Sequence, residues 1–470
     1  MSSTAQLDNK PQRQLTLFDS TCIIVGIIIG AGIYKTGPFI ASNTSSVGTL
    51  MAVWAIGGLI AMLGALCYAE LATAYPRAGG DYVYLTRAYG RRTGFLFAWA
   101  EFWILRPGNV GMLAFVFATY ARELFPLRFL ANHSQFELMF YAASAVLLMS
   151  ALNILSVRAG KWTQNVLTVV KIAGLLAIFV TAVFTSPAAQ PTVALEESSS
   201  TPNFHLAMIM VVFCYGGWNE MSYVAAEVRN PRKNIVRALV FGTIAVTVVY
   251  LLVNFAFIRI LGFKGLQESG MIAADAVRKP MGETGARAIS ALVCVSCLGA
   301  INGMVFTGSR IFYAVGTEHK FYRWLGTWNS KAQAPIRALL VQLAATIGLI
   351  VGFGWYADGF TGLLYFTAPI YWSFAFLVGV SLFVLRWRKV AAEPDAYRVI
   401  LFPVVPAIFC VACLFLIHSS LVYAIHEAIE NRAYEPLWAF AFLAVGVVMS
   451  FFDPPLKHGD LTRPGKTGKE

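Results

Sequence analysis

The stretch "GIIIGAGIYKTGPF", residues 26–39, decides how the rest of the chain is interpreted. It begins as an apolar run of the kind that crosses a membrane. Glycines and an alanine interrupt it, and Lys35, Gly37 and Pro38 follow where the helix should be ending. Glycine weakens a helix and proline stops one. Since backbone polar groups in lipid must be satisfied internally, a helix that breaks at this depth predicts a polar cavity beside the break.

The composition of the whole chain indicates an integral membrane protein. Of its 470 residues, 58% are hydrophobic and 13% are charged. The mean hydropathy of +0.65 is too high for a soluble fold of this length. A spanning helix needs about 20 mostly apolar residues. Runs of this kind predict an all-α fold with about twelve spans, numbered along the chain: residues 16–41, 47–75, 93–121, 138–156, 161–185, 205–228, 234–260, 286–313, 336–354, 361–385, 400–426 and 434–453.

Lysine and arginine fall mostly in the segments on one side of these spans, which predicts that both termini are cytoplasmic. The net charge of +12 then reflects this asymmetry and anionic lipid at the inner face, so nucleic acid is not expected as a partner. The predicted division is a cytoplasmic tail at 1–15, spans 1–5 at 16–185, spans 6–10 at 205–385, spans 11 and 12 at 400–453, and a cytoplasmic tail at 454–470.

A second stretch, "VVFCYGGWNEMSYVAAEVRNP" at residues 211–231, breaks span 6 in the same way, with Gly216 and Gly217 adjacent in an apolar run. Spans 1 and 6 are five crossings apart and therefore run in opposite directions. This arrangement is expected of a 5+5 inverted repeat with paired discontinuous helices around a central binding site. Exposed amides can bind a carboxylate and exposed carbonyls a cation, so an amino acid, which carries both groups, fits the two breaks.

Close helix packing is the alternative explanation for each glycine pattern taken alone. Gly26 and Gly30 form a G-x-x-x-G motif, and a glycine pair within a span often serves helix contact. The occurrence of a break at the corresponding place in both halves favours the binding site.

Several motifs, in order along residues 16 to 400, resemble the amino acid–polyamine–organocation superfamily. The broken spans carry "VGIIIGAGIY" and "FCYGGWNEMSYVAAEVRNPRKNI", and "CYAELATAYPRAGGDYVYL" is similar to the superfamily's second helix and first cytoplasmic loop. Four further stretches are similar to the L-type amino acid transporter branch of this superfamily. They lie in spans 3, 5, 8 and 10 and read "EFWILRPGNVGMLAFVFATY", "NVLTVVKIAGLLAI", "CLGAINGMVFTGSR" and "FLVGVSLFVLRWRK". The resemblance implies a leucine-transporter-like fold with discontinuous helices 1 and 6.

The resemblance also implies a substrate site. The matching positions are Ile28, Gly30, Ala31, Gly32, Asn109, Phe213, Cys214, Gly216 and Asn219. The amides of residues 30–32 would bind the substrate carboxylate. The carbonyls of Ile28, Phe213 and Gly216 would accept from its ammonium group, and the ring of Phe213 would close over it as a gate.

The matched positions also predict which substrates fit. Asn219 is expected at the edge of the pocket. None of the matched positions is acidic, so neutral L-amino acids of small or medium size are expected. Cys214 and Asn109 would admit polar ones such as serine.

Lys171 lies in the middle of span 5, where an unpaired ammonium group is costly. The resemblance implies a coupling role, because related transporters without sodium coupling place a lysine where sodium-coupled members bind the ion, between spans 1 and 8. The alternative is a lysine that reaches the interface from near a helix end.

Arg106 precedes Pro107 in span 3. Glu101 is five residues earlier and thus about 140° around an α-helix, so it is expected to be a poor partner for Arg106. Arg106 is expected either to face the pocket or to tie helices together. Asp81, near the cytoplasmic ends of the spans, is expected either in an inner gate or in a solvated loop, and the loop is preferred.

Taken together, the sequence predicts a secondary transporter of neutral L-amino acids that works by alternating access as a sodium-independent exchanger, because a fixed lysine charge removes the need for a driving ion. Two alternatives stay open. One is proton-coupled uptake with Lys171 titrating, and the other is a membrane receptor that binds an amino acid without transporting it. An enzyme is not expected, since the six histidines form no spaced cluster.

No cofactor or metal site is expected, because the two C-x-x-C pairs lie in apolar spans without histidine or carboxylate neighbours. The loop between spans 3 and 4, "ARELFPLRFLANHSQFE", has no cysteine. Animal members of the L-type branch link to a glycoprotein subunit through a cysteine in this loop, so no disulfide-linked heavy subunit is expected. Membrane lipid is the other expected partner, and the expected location is the bacterial inner membrane.

Overall fold

The structure of the chain is a computed structural model that describes residues 13–127, 134–155, 157–185, 202–330, 332–355, 358–430 and 434–453. The predicted tails therefore lie almost entirely outside the described residues, as do residues 128–133 of the loop between spans 3 and 4.

Span 1 consists of three helices, α1 (Leu17–Ile28), α2 (Gly32–Lys35) and α3 (Gly37–Ser42). A capping box starts α1: the Thr16 hydroxyl accepts from the Asp19 amide at 3.2 Å, and the Asp19 carboxylate accepts from the Thr16 amide at 2.9 Å. The helix ends because the backbone at Ile29 leaves the helical region, with φ −75° and ψ 71°. The predicted break is therefore present at residues 29–31.

Spans 2 to 5 are formed by α4 (Val47–Ala74), α5 (Asp81–Tyr89), α6 (Arg91–Ala100), α7 (Arg106–Leu124), α8 (Ser134–Leu155) and α9 (Val157–Phe184). The short helix α5 connects span 2 to span 3. A π-helical turn, Glu101–Leu105, joins α6 to α7, so span 3 is one long helix with an irregular turn in it.

Spans 6 to 12 are formed by α10 (Phe204–Cys214), α11 (Glu220–Tyr223), α12 (Pro231–Glu268), α13 (Ile272–Glu318), α14 (Ile336–Gly354), α15 (Gly359–Trp387), α16 (Val404–Glu430) and α17 (Glu435–Phe451). The break predicted in span 6 separates α10 from α11.

Ten helices in the described ranges are long and apolar enough to cross a membrane, and two shorter apolar helices, Phe204–Cys214 and Leu437–Phe451, accompany them. In chain order these segments match the twelve predicted spans. The predicted all-α membrane fold, with discontinuous helices in spans 1 and 6, is confirmed. The division into repeats at residues 16–185 and 205–385 stays a prediction.

The broken spans form the centre of the molecule. In span 1, Ile24 of α1, Ile29 of the break and Ile33 of α2 are fully buried. Helix α12 packs against α1 and α4, while α13 packs against α1, α7 and α9. Peripheral helices instead expose apolar side chains, as Val169 and Val180 of α9 do. An apolar outer surface around a buried, interrupted centre suits a protein that is surrounded by lipid.

Candidate functional site

The two breaks lie against each other. Residues 215–219 between α10 and α11 form turns rather than helix, and Gly217 has φ +117°, a conformation that favours glycine. A Cβ atom at Gly217 would lie 2.8 Å from Cγ2 of Ile27, and one at Gly32 would lie 2.6 Å from Sγ of Cys214. The glycines therefore permit a close approach that side chains would prevent.

A cavity opens beside the breaks, and spans 1, 3, 6, 8 and 10 contribute to its walls. The structure brings together, as lining residues of this cavity, all nine positions of the predicted substrate site: Ile28, Gly30, Ala31, Gly32, Asn109, Phe213, Cys214, Gly216 and Asn219. Leu364 and Trp372 of α15 form part of the wall and were not predicted from the sequence.

The break in span 1 presents backbone donors to this cavity. The Gly30 amide is already used, since it donates to the carbonyl oxygen of Ile28 at 2.7 Å. The amides of Ala31 and Gly32 donate to no acceptor among the described residues. Unpaired amides that line a buried cavity are suited to an anionic group such as a carboxylate.

Tyr250 of α12 bridges the two breaks. Its hydroxyl oxygen lies 2.7 Å from the carbonyl oxygen of Ile28 and 3.0 Å from that of Cys214. The Ile28 carbonyl, predicted to accept from a substrate ammonium group, thus already has two protein donors, the Tyr250 hydroxyl and the Gly30 amide, which match its two lone pairs. The sequence analysis missed Tyr250, because nothing in its apolar span distinguishes it from a packing residue.

Two predicted site residues meet aromatic partners. The ring of Phe213 lies edge to face with that of Phe360, with centroids 5.9 Å apart. The Asn219 amide nitrogen donates to the hydroxyl oxygen of Tyr223 at 2.9 Å. Asn219 therefore joins the cavity wall to the half of span 6 beyond the break.

Lys171 is fully buried and is not among the described lining residues. Its Nζ donates to the carbonyl oxygens of Gly26 at 2.7 Å, Ile29 at 2.8 Å and Ser296 at 2.9 Å. The three donors of one ammonium group are thereby satisfied. Lys171 joins α9 to α1 and α13 beside the break, which is inconsistent with a lysine at the lipid interface. Its role in coupling stays a prediction.

Arg106 pairs with Glu101, so the expectation that Glu101 is a poor partner was wrong. The Arg106 Nε lies 2.7 Å from Oε1 of Glu101. The reason is the π-helical turn, in which the Arg106 amide donates to the Glu101 carbonyl five residues earlier. Residues five apart, which diverge on an α-helix, then lie on the same side.

Arg106 also ties span 3 to span 6. Its Nη1 lies 2.8 and 2.9 Å from the two carboxylate oxygens of Glu220. Of the two alternatives for Arg106, the structure thus shows the tie between helices, and Arg106 reaches the cavity only through Glu220.

Glu220 itself lines the cavity, so the wall contains an acidic side chain although none of the matched positions is acidic. The carboxylate is buried, and the Thr307 hydroxyl donates to it as well as Arg106. The sequence placed Glu220 directly after Asn219 but gave no indication that α11 would begin there and turn both side chains inward.

The preferred expectation for Asp81, a solvated loop, was also wrong. Asp81 begins α5 and is only 4% exposed. The Tyr223 hydroxyl donates to its Oδ2 at 2.8 Å. Helix α5 folds back beneath the cavity instead of extending into water.

The profile of the amino acid permease family matches residues 15–450 of this chain. The chain belongs to the amino acid permease family. The permease is 30% identical over 459 residues to b(0,+)-type amino acid transporter 1 of Mus musculus, covering 95% of this chain and 89% of the relative.

Two further relatives have a similar sequence identity to the permease. Large neutral amino acids transporter small subunit 2 of Oryctolagus cuniculus is 33% identical over 411 residues, covering 85% and 74% of the two chains. The cystine/glutamate transporter of Homo sapiens is 29% identical over 415 residues, covering 87% and 80%. The predicted superfamily is confirmed, and the permease is an amino acid transporter of the membrane rather than an enzyme.

Proposed function

We propose that this permease is a sodium-independent exchanger of neutral L-amino acids that works by alternating access. The observation that carries the proposal is the position of Lys171, whose ammonium group contacts three carbonyl oxygens where spans 1, 5 and 8 meet. Backbone carbonyls freed by a break form cation sites in transporters of this kind. Because the Lys171 ammonium group already occupies this place, transport does not need a sodium ion to bind there.

The cavity beside Lys171 supports an α-amino acid as the substrate. The amides of Ala31 and Gly32 are available for a carboxylate. Phe213 and Gly216 line the cavity at the opposite break, where the Phe213 carbonyl also accepts from the Gly216 amide at 2.9 Å. The relatives' names refer to neutral amino acids, cystine and glutamate, and this agrees with an amino acid bound through groups that all of these share.

Neutral side chains are proposed because Glu220, the acidic group in the wall, is already paired. Arg106 donates to both of its carboxylate oxygens at 2.8 and 2.9 Å. Arg106 also contacts Glu101, but its positive charge beside Glu220 weakens the field of this carboxylate relative to an unpaired one. A cationic substrate would therefore have to compete with Arg106 for Glu220.

We propose further that the permease lies in the bacterial inner membrane with both termini in the cytoplasm, and that it needs no disulfide-linked heavy subunit. The distribution of lysine and arginine supports the orientation. The loop between spans 3 and 4 contains no cysteine in the sequence, and this supports a transporter that acts alone.

Counterflow in proteoliposomes tests these proposals. The purified permease, without any second protein, is reconstituted, and uptake of labelled alanine is measured with internal alanine or serine and with sodium replaced by choline. We expect uptake that requires internal amino acid, persists without sodium, and is inhibited by serine far more than by lysine or arginine. Equal inhibition by lysine and alanine would refute the neutral preference.

The same experiment separates the alternatives. Uptake into liposomes without internal amino acid, driven by an inwardly directed proton gradient, would support proton-coupled uptake with Lys171 titrating. Saturable alanine binding without flux would support a receptor. Loss of uptake upon removal of sodium would overturn sodium independence.

A further inference from the structure

A group of three buried carboxylates lies beneath the substrate cavity and shares a single guanidinium group. The carboxylates are those of Asp81, Glu101 and Glu220, and the cation is Arg106; each of the four side chains is less than a tenth exposed. They line a second, smaller cavity, which shares Asn109, Asn219, Glu220 and Tyr371 with the substrate cavity. If all four groups were ionised, the cluster would carry two uncompensated negative charges among buried side chains.

The guanidinium group of Arg106 forms ion pairs with two of the three carboxylates. Its nitrogens contact Glu101 at 2.7 Å and Glu220 at 2.8 Å. Asp81 has no lysine, arginine or histidine nitrogen within 4.0 Å in the part of the chain that the structure describes. Of the three carboxylates, Asp81 is therefore the one that no cation contacts, and it accounts for one of the two excess charges.

The two oxygens of the Asp81 carboxyl group have different surroundings. Oδ2 accepts a hydrogen bond from the Tyr223 hydroxyl at 2.8 Å. Oδ1 is fully buried and has no hydrogen-bond partner among the described residues. A buried carboxylate oxygen without a donor is costly, whereas the same oxygen as an O–H group is neutral and can itself donate.

The titratable groups around Asp81 do not supply a compensating charge. They lie on α4, α5, the π-helical turn and start of α7, α11 and α15. They are Tyr68, Tyr84, Glu101, Arg106, Glu220, Tyr223 and Tyr371. Burial, opposed by the hydrogen bond from Tyr223 and reinforced by the negative charges of Glu101 and Glu220, raises the pKa of Asp81 to about 8.

Asp81 is also connected to the substrate cavity. The Asn219 amide nitrogen donates to the Tyr223 hydroxyl at 2.9 Å, and this hydroxyl donates to Asp81 at 2.8 Å. The turn before α5 is pressed against α11, since a Cβ atom at Gly80 would lie 2.3 Å from Oγ of Ser222. The contact between α5 and α11, the seam, thus contains Asp81 and adjoins the substrate cavity.

We propose that Asp81 is a proton-binding site of this permease, protonated while the seam between α5 and α11 is closed and deprotonated when the seam opens to water. The proton leaves the carboxyl oxygen for solvent, and the remaining carboxylate is stabilised by the water that enters. On the proposed orientation this water is cytoplasmic. Opening on that side is therefore favoured by a rise in cytoplasmic pH, and substrate bound at Asn219 acts on the same hydrogen-bond chain.

The first test needs no transport and therefore does not depend on the proposed exchange activity. The infrared spectrum of the purified permease at pH 6 is compared with that of Asp81→Asn and of Asp395→Asn, a matched control whose side chain is 86% exposed. We expect a protonated-carboxyl band in the parent and control that Asp81→Asn lacks. Identical spectra for the parent and Asp81→Asn would overturn the proposal.

A second variant covers the case in which Asp81→Asn does not fold. Tyr223→Phe removes the hydroxyl donor to Asp81 and leaves the carboxyl group in place, so the band should remain but shift in frequency. If the protonated-carboxyl band has the same frequency in Tyr223→Phe as in the parent, its assignment to Asp81 is wrong.

The second test concerns transport. Exchange by the parent and by Asp395→Asn should become faster as the internal pH rises toward and beyond about 8, whereas Asp81→Asn should show a flat profile over this range. If the pH profile of exchange is the same in Asp81→Asn as in the parent, the link between this proton and opening is wrong, whichever amino acid is the substrate.

Discussion

The ammonium nitrogen of Lys171 lies 2.7 Å from the carbonyl oxygen of Gly26, so a side chain of α9 is bound to the last turn of α1 before the break. The Ser296 hydroxyl donates to the Ile29 carbonyl at 3.1 Å, beside the same ammonium group. Two side chains from two other spans therefore fix the carbonyls that the break leaves exposed. The broken segment is held by specific contacts rather than by packing alone.

Replacing Lys171 by alanine should reduce exchange at least tenfold while leaving folded protein. A hydrogen bond to a charged group contributes roughly 1.5–3 kcal/mol, and loss of one such bond that holds the break corresponds to about tenfold or more. The measurement is the exchange rate per correctly folded transporter in the parent, Lys171→Ala and Lys171→Arg.

Lys161→Ala is the matched control for this prediction. Lys161 lies on the same helix, and its Nζ is 3.3 Å from the Asp19 carboxylate with the side chain 28% exposed. Its replacement should change the exchange rate little, because partly exposed ion pairs contribute little. Normal exchange in Lys171→Ala would contradict the proposed function of Lys171.

The sequence predicted the features that depend on composition and local backbone preference. Gly32 and Gly217 marked breaks that the structure shows, and Lys171 stood out because a charge in mid-span requires a partner. What could not be predicted depends on tertiary placement. The π-helical turn that turns Arg106 toward Glu101 leaves no trace in α-helical periodicity, and the burial of Asp81 depends on how α5 folds back.

Replacing Arg106 should alter substrate preference as well as stability. In Arg106→Gln, the Glu101 and Glu220 carboxylates lose their shared cation, and breaking a buried pair costs about 3–5 kcal/mol. The unpaired Glu220 in the cavity wall should then favour cationic substrates. We expect lysine to compete with labelled alanine more strongly in this variant than in the parent.

Two variants make this prediction specific. Arg106→Gln combined with Glu220→Gln removes the carboxylate from the wall and should restore the preference for alanine over lysine. Arg122→Gln, on the same helix and only partly buried, should behave as the parent does. Unchanged competition by lysine in Arg106→Gln would show that Glu220 does not influence the substrate.

Tyr250→Phe should slow exchange because it removes the hydroxyl group between the two breaks. The carbonyl oxygens of Ile28 and Cys214, 2.7 and 3.0 Å from this hydroxyl, lose a shared buried donor, a change of about 1 kcal/mol or more. The measurement is the exchange rate over a range of alanine concentrations.

Tyr215→Phe provides the comparison for Tyr250. Tyr215 is also buried in this region, but its hydroxyl donates to the Trp54 carbonyl at 3.0 Å and does not join the two breaks. A loss of exchange in Tyr215→Phe as large as in Tyr250→Phe would indicate general packing damage rather than a specific bridge.

The glycines of the two breaks should differ in whether a second substitution can rescue them. In Gly32→Ala the new Cβ would lie 2.6 Å from Sγ of Cys214, and its next contacts are at 3.1 Å. Removing the sulfur in Gly32→Ala/Cys214→Ala relieves the shortest contact, so the double variant should recover part of the exchange that Gly32→Ala loses, measured against Cys214→Ala alone.

Gly217→Ala should not be rescued in this way, because two separate causes act there. Its Cβ would lie 2.8 Å from Cγ2 of Ile27, and its φ of +117° is strained for any residue with a side chain. Trimming the neighbour in Gly217→Ala/Ile27→Val removes neither the γ2 methyl group nor the strain.

Gly348→Ala is the control, since a Cβ there meets nothing within 4 Å and alanine is favoured over glycine in a helix by about 1 kcal/mol. We expect the thermal stability of the purified protein to fall in Gly217→Ala and to hold or rise in Gly348→Ala; equal behaviour of the two would mean that the break in span 6 does not depend on its left-handed glycine.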